Sequence, residues 1–219
     1  MKRKLIIFAL GGTLMLSDDE TINVWLQALR SQGLLQDEAL VYSEDYGRCY
    51  ETVVLPKMAL KYNWTRNQIS AVVNEAKKEF RKINKQLNSE LFKKINLLKK
   101  SGYSFGILTN RKMADVKSGL EKIKLKVEDF DFIKTSDEGV LKPDPSSLEK
   151  VLARFRPEEI VFVGSDVNKD LPVAKAYGIG FVAISSPQLL GLWRAFKVED
   201  VYYSVKEYLD VVIDQHEIG

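Results

Sequence analysis

The sequence is poor in the side chains from which many catalytic and structural centres are built. Its 219 residues include one cysteine and one histidine, His216. A single cysteine excludes a disulfide framework or a cysteine-rich zinc site within this chain, and it favours a reducing compartment. One histidine argues against a histidine-based metal cluster and against a Ser-His-Asp triad.

The sequence also lacks a large excess of positive or negative charge, and it lacks long apolar runs. The formal net charge is only +3, which by itself gives no indication of nucleic-acid binding. No apolar run approaches the ~20 residues of a membrane helix. Residues 1–16 have a basic start and an apolar stretch, but Gly11 and Gly12 interrupt it and no cleavage pattern follows, so a buried strand is favoured over a signal peptide. We expect a cytoplasmic protein with no membrane segment.

Short apolar runs separated by helical patterns organise the chain. Five runs rich in β-branched and aromatic residues predict buried strands: Lys4–Leu10, Ser104–Thr109, Asp131–Thr135, Ile160–Gly164 and Gly180–Ser185. Helical patterns cover Thr21–Ser31, Thr65–Leu87, Ser89–Lys100, Lys112–Lys122, Pro145–Phe155 and Asn168–Tyr177. Strands that alternate with helices indicate an α/β fold with a doubly wound parallel sheet.

A long gap separates the first predicted strand from the second. It is too long for one crossover and contains its own helices, one of which opens with Thr65 and Gln68 at capping-box spacing. The simplest organisation is an α/β core of residues 1–16 and 86–219 and a helical cap of residues 17–85. Because ligands bind outside the carboxyl ends of parallel strands, we expect the cap to cover the site as a lid.

Four ordered segments, each at or just beyond the end of a predicted strand, point to one family. They are Lys4–Leu14 (KLIIFALGGTL), Gly106–Asn110 (GILTN), Ser136–Pro145 (SDEGVLKPDP) and Ile160–Gly178 (IVFVGSDVNKDLPVAKAYG). Together they resemble the four motifs of the haloacid dehalogenase (HAD) superfamily, in the branch with a helical cap inserted after the first strand. The resemblance covers nearly the whole chain and implies a HAD-like Rossmannoid core with an inserted helical cap domain.

The first motif departs from the family pattern where the chemistry takes place. The resemblance implies two aspartates after the first strand, one a nucleophile that forms a covalent ester and one a general acid and base. This sequence has Ala9 and Gly11 there, while Gly12 and Thr13 keep the motif in register. Neither residue offers a nucleophile, so the sequence predicts no catalytic residue. We therefore expect a non-catalytic HAD-like protein, a pseudoenzyme, that binds a phosphate-type anion or a protein partner through a retained cleft.

The fourth motif admits two alignments. Aligned on Gly164, Ser165 replaces the first acidic residue and Asp170 keeps the second; aligned one residue later, Asp166 and Asp170 form a residual acidic pair. A one-residue shift turns a side chain to the other face, so both alignments stay open. In phosphatases of the family, Mg²⁺ contacts the nucleophilic carboxylate that is missing here. The sequence therefore predicts neither a metal nor another cofactor.

The remaining motif residues should converge on one pocket. The candidate anion-binding residues are Gly12, Thr13, Thr109, Asn110 and Lys142. Without the two aspartates the lysine lacks its usual counter-charges, and an electropositive pocket suits phosphate or sulfate. The alternative is that Lys142 pairs with Asp170 or Asp166 and that the cleft is vestigial.

Other functions remain as alternatives to the non-catalytic binding protein. One is an active HAD-family hydrolase, either a phosphatase or a dehalogenase-like enzyme, which rests on analogy with the fold. Another is a nucleic-acid-associated accessory protein, because residues 74–100 contain nine basic and three acidic residues. Helix faces exposed to solvent are the simpler explanation of these charges, so nucleic acid is not expected as a partner. The apolar stretch Pro187–Phe196 is either a surface for a protein partner or packing against the sheet edge.

Overall fold

The computed structural model describes residues 5–15, 18–35, 51, 54–185 and 189–217. The only cysteine, Cys49, lies outside them. The chain divides into two compact units, which we call the core unit (Met1–Ser17 and Leu87–Gly219) and the insert unit (Asp18–Gln86). Within the described ranges, no helix combines the length and apolarity needed to cross a membrane.

Six strands of the core unit form a single parallel sheet. They are β1 (Leu5–Phe8), β2 (Ser104–Leu108), β3 (Phe132–Lys134), β4 (Ile160–Gly164), β5 (Gly180–Ile184) and β6 (Val201–Tyr202). Their order is β3-β2-β1-β4-β5-β6, and every neighbouring pair is parallel. The predicted doubly wound parallel sheet is therefore confirmed. Because β1 lies between β2 and β4, the switch in strand order falls there, and in such sheets ligands bind outside the carboxyl ends at this point.

The helices are α1 (Asp18–Ser31), α2 (Leu55–Tyr62), α3 (Arg66–Lys100), α4 (Met113–Lys122), α5 (Glu149–Leu152), α6 (Asp170–Ala176), α7 (Leu190–Ala195) and α8 (Val205–Glu217). The predicted capping box before α3 is confirmed, since the Thr65 amide donates to Gln68 Oε1 (2.8 Å) and the Gln68 amide donates to Thr65 Oγ1 (3.3 Å). The prediction of two helices between residues 65 and 100 was wrong. No glycine or proline interrupts this stretch, so α3 continues as one helix.

Both faces of the sheet are covered, as expected for parallel strands. Alternate residues of β1 point to opposite faces: Ile6 and Phe8 belong to one apolar cluster, and Leu5 and Ile7 belong to another. The first cluster also contains residues of α3, α4 and α8, and the second contains residues that precede and form α5 and α6. Phe8 stacks on Phe105 of β2 with ring centroids 5.9 Å apart. This packing fixes where β1 ends and where the loop after it begins.

The insert unit has its own apolar cluster. Ile22, Trp25 and Leu29 recur along one face of α1 and pack with residues of α2 and α3. Trp25 also meets Phe80 edge to face, with ring centroids 5.8 Å apart. The insert unit is thus a helical body with a core of its own, and its role as a lid stays a prediction.

Two surface features bear on the alternative partners. On α7, Trp193 is buried against Leu171 and Val198, while Leu192 and Phe196 are 39% and 40% exposed. The helix therefore packs against the core unit through its largest side chain. On α3, several lysines form ion pairs with acidic neighbours: Lys77 with Glu51, Lys78 with Glu75, Lys82 with Glu79 and Lys94 with Asp210. These pairs offset part of the positive charge along the helix.

Candidate active site

The loop after β1 lies at the switch point and carries the degenerate positions. Ala9 is buried, and its amide donates to the Val163 carbonyl of β4 (2.9 Å). Ala9 has φ −66° and ψ 163°, and Gly11 has φ −70° and ψ 137°. Both conformations are ordinary for residues with side chains. The backbone of this loop therefore admits a carboxylate at either position, although this chain has none there.

Gly12 needs to be glycine for two separate reasons. Its φ is +72°, a conformation that L side chains rarely adopt. An ideal Cβ at this position would also lie 2.5 Å from Ser165 Oγ, which follows β4. The Ser165 hydroxyl donates to the Gly11 carbonyl (3.4 Å). The loops after β1 and β4 are thus in direct contact.

A pair of hydrogen bonds joins the second motif to the third. The Asn110 side chain donates to the Lys142 carbonyl and accepts from the Lys142 amide, both at 2.8 Å. Buried Thr109 accepts at Oγ1 from the Arg111 amide (3.2 Å), which leaves its own hydroxyl proton available for another acceptor. Asn110 therefore serves mainly to position the backbone that carries Lys142.

A buried ion pair lies at the centre of the site. Lys142 Nζ donates to Asp170 Oδ1 at 2.5 Å, and the two residues are 8% and 2% exposed. Asp170 Oδ2 accepts the backbone amides of Ser165 (2.9 Å) and Asp166 (3.0 Å). Of the two predicted alternatives, the structure therefore has the paired lysine, and the expectation that it lacks a counter-charge was wrong. The two amides hold the carboxylate at the start of α6, where it faces Lys142.

The remaining fourth-motif side chains point in different directions. Asp166 Oδ1 accepts the amides of Asn168 (2.9 Å) and Lys169 (3.0 Å), and Oδ2 accepts from Lys169 Nζ (2.6 Å). Partial burial would raise the pKa of Asp166, but the hydrogen bonds and charge of Lys169, with the Asn168 amide, together lower it. Ser165 faces the β1 loop, while Asp166 folds back on its own loop. The predicted acidic pair is therefore two carboxylates with separate partners.

Two further residues complete the site. Thr13 is buried, and within the described part of the chain its hydroxyl has no hydrogen-bond partner. Arg111, which is not among the predicted site residues, reaches back to the β1 loop, where its Nη2 lies 3.1 Å from an ideal Cβ on Gly11. Its place directly after Thr109 and Asn110, at the end of a strand, was the signal that could have identified it.

The donor set does not fit the Mg²⁺ that the family resemblance implies. Mg²⁺ takes six oxygen ligands in octahedral geometry, usually with one or two carboxylates. Position 9 offers a methyl group, and both oxygens of Asp170 and of Asp166 already accept hydrogen bonds. Among the residues described, no three His, Cys, Asp or Glu side chains are grouped so that they could hold a metal ion.

The fold and the four motifs define a hydrolase scaffold, and the chain belongs to the haloacid dehalogenase-like hydrolase family, whose model matches residues 6–184. A pyrophosphatase named PpaX from Bacillus mycoides is 31% identical over 196 residues, which cover 84% of this chain and 85% of that protein. A hydrolase from Streptococcus pneumoniae has a TM-score of 0.59 at 18% identity and covers 90% of this chain and 100% of its own. A hydrolase from Pseudomonas syringae has a TM-score of 0.58 at 18% identity, with coverages of 97% and 99%.

These comparisons contradict the prediction of a non-catalytic protein that acts by binding an anion or a partner. Curated relatives that match most of the chain are named as pyrophosphatases, which favours the alternative of a HAD-family hydrolase. The prediction was wrong because it gave two missing carboxylates more weight than the rest of the site. Donors placed around a reacting group stabilise its developing charge, and that contribution to catalysis is separate from the nucleophile.

Proposed function

We propose that this chain is a hydrolase that acts on phosphate anhydrides or phosphate monoesters. The observation that carries the proposal is the linked set of Asn110, Lys142 and Asp170, with Thr109 beside Asn110, in the segments that follow β2, β3 and β4. The relatives of this chain are named as pyrophosphatases. The single cysteine favours a reducing compartment, and we place the reaction in the cytoplasm.

The phosphoryl group would be bound by donors that this chain presents. Protonated Lys142 has three N–H donors, and one is directed to Asp170, which leaves two for phosphoryl oxygens. The Thr109 hydroxyl can donate because its oxygen already accepts the Arg111 amide. Amides of the β1 loop add uncharged donors beside them. These groups would stabilise the charge that develops on the phosphoryl oxygens in the transition state.

Without a carboxylate at position 9, a covalent ester on β1 cannot form. The remaining route is direct attack by water: the water oxygen bonds to phosphorus as the P–O bond to the leaving group breaks. A proton of that water passes to the oxygen of the leaving group, which departs as phosphate from an anhydride or as an alcohol or phenol from a monoester. Positioning and electrostatic groups contribute to catalysis separately from a nucleophile, but they contribute less than the complete set of catalytic groups. We therefore expect slow turnover. Because the donor set does not fit Mg²⁺, we also expect turnover to persist in EDTA.

Phosphate release from inorganic pyrophosphate and from p-nitrophenyl phosphate tests the proposal. The unchanged protein should release phosphate, and Thr109→Val and Lys142→Met should each lower the rate. Thr109→Val is the safer comparison, because Lys142→Met leaves the buried Asp170 without its cation. Ala9→Asp combined with Gly11→Asp should raise the rate by about 10²-fold or more, since both positions have backbone conformations that accept side chains.

A contaminating phosphatase would also release phosphate, and its rate would be the same in every preparation. The test is therefore the comparison of rates between the unchanged protein and its variants. Equal rates for the unchanged protein and for both Thr109→Val and Lys142→Met would overturn the proposal. Activity that disappears in EDTA would overturn the metal-independent route while leaving the hydrolase assignment in place.

A further inference from the structure

The side chain of Arg111 lies against the β1 loop at the position where the family pattern has its second carboxylate. An ideal Cβ on Gly11 would be 3.1 Å from Arg111 Nη2, 3.6 Å from Nε and 3.7 Å from Cζ. These three atoms of the guanidinium group thus lie next to the space that an aspartate side chain at position 11 would enter. The charge at this corner of the site is therefore reversed, from the implied anion to a cation.

The backbone of Arg111 is fixed at both ends. Its amide donates to Thr109 Oγ1 (3.2 Å), and its carbonyl accepts the Ser136 amide (3.0 Å). The side chain is exposed, and within the part of the chain that the structure describes its guanidinium forms no ion pair or hydrogen bond. Arg111 thus combines a fixed backbone with a guanidinium group that is available to bind an anion. It follows Asn110 directly and Thr109 by two residues.

We propose that Arg111 binds the departing phosphate of a diphosphate substrate, and that this makes inorganic pyrophosphate or a closely related phosphate anhydride the preferred substrate class. The planar guanidinium matches two phosphate oxygens at once, which an ammonium group cannot do. Lys142 and Thr109 face the transferred phosphoryl group, and Arg111 beside the β1 loop supplies a cation for a second phosphate. A monoester whose organic group is uncharged in the intact substrate leaves Arg111 without a partner. The inference rests on the proposed hydrolase function.

The test compares two substrates and one unreactive analogue. Three variants are needed: Arg111→Ala, Arg111→Lys, and Arg154→Ala as the matched control. Arg154 is an exposed arginine of the core unit that precedes β4. It therefore lies toward the amino ends of the strands, whereas the site lies at their carboxyl ends. Turnover is measured with pyrophosphate and with p-nitrophenyl phosphate. Binding is measured by calorimetry with methylenediphosphonate, whose bridging carbon prevents hydrolysis.

Arg111→Ala should weaken methylenediphosphonate binding by about 10- to 100-fold and should lower kcat/KM for pyrophosphate by a similar factor. The loss with p-nitrophenyl phosphate should be much smaller. Arg111→Lys should recover only part of the binding, and Arg154→Ala should leave both substrates unchanged.

Three outcomes overturn the inference, and they separate it from the proposed function. If Arg111→Ala lowers both substrates equally, Arg111 does not select the diphosphate, although the hydrolase proposal stands. If Arg111→Ala changes neither binding nor turnover, the inference fails alone. If the unchanged protein neither binds methylenediphosphonate nor releases phosphate from any substrate, both fail together.

Discussion

Two parts of the site differ in how firmly their residues are tied to the fold. In the loops after β2, β3 and β4, Asn110, Lys142 and Asp170 are joined through hydrogen bonds and a buried ion pair. In the loop after β1, Ala9 and Gly11 have no polar side chain, yet their backbone follows an ordinary extended course. The side chains of Asn110, Lys142 and Asp170 hold these loops together, whereas Ala9 and Gly11 contribute no polar side-chain contact.

Motif residues of one site therefore differ in how much of the surrounding structure they stabilise. Removing Asp170 would leave Lys142 buried without a partner and two amides without an acceptor. Positions 9 and 11 hold no polar side chain in this chain, so no comparable pair depends on them. The substitutions below test that contrast through stability, which does not depend on the identity of the substrate.

The largest effect is expected for Asp170→Ala. This change leaves Lys142 as a buried, unpaired cation and should lower the free energy of unfolding by about 3–5 kcal/mol. Urea unfolding followed by circular dichroism measures it, with Glu121→Ala on the exposed face of α4 as the control, where a change within about 0.5 kcal/mol is expected. A cost for Asp170→Ala no larger than that of the control would show that the ion pair does not hold the loops.

An intermediate loss of stability is expected at Gly12, and a much smaller loss is expected at the adjacent Gly11. Gly12→Ala should cost about 1–3 kcal/mol, because φ is +72° and the new Cβ would meet Ser165 Oγ. Gly11→Ala should be nearly neutral, since its φ is ordinary and its nearest neighbour is the flexible end of Arg111. Combining Gly12→Ala with Ser165→Gly should recover part of the loss, as the contact is relieved and the φ strain is not. Equal costs at the two glycines, again measured by urea unfolding, would contradict the contrast.

The smallest effect concerns Asp166 and pH. Lys169 and nearby amides lower the pKa of Asp166 in the folded protein, so its ionised form stabilises the fold at pH values above the ordinary aspartate pKa. That contribution is lost as the pH falls through the lowered pKa. The melting temperature of Asp166→Asn should therefore be below that of the unchanged protein at neutral pH, and the gap should close in acid. Glu121→Gln serves as the charge-matched control, and a gap that stays constant with pH would disprove the assignment.

Much of the core unit could be predicted from local patterns. The five predicted strands coincide with β1 to β5 because parallel strands buried on both faces are continuous apolar runs. Strand β6 has two residues, too few for any periodicity to appear, and it was missed. The single helix α3 differs from the two predicted helices because no glycine or proline breaks the stretch between them.

Less of the site could be predicted, because motif spacing gives residue order and not side-chain direction. The alternatives for Ser165 and Asp166 depended on which way each side chain turns at the end of β4, and only the fold decides that. The pairing of Lys142 joins residues far apart in sequence. Arg111 was missed for a related reason: its neighbour, Gly11, is close only after β1 and β2 pair in register.

The uninterrupted course of α3 limits how this protein can be dissected. The boundary between the two units, at residues 86 and 87, falls inside the helix. Leu91, Ile95 and Leu98 of the same helix are buried in the main apolar cluster beneath the sheet. A minimal core protein made by excising the insert must therefore keep the carboxyl-terminal segment of α3, with a new amino-terminal cap engineered at the cut.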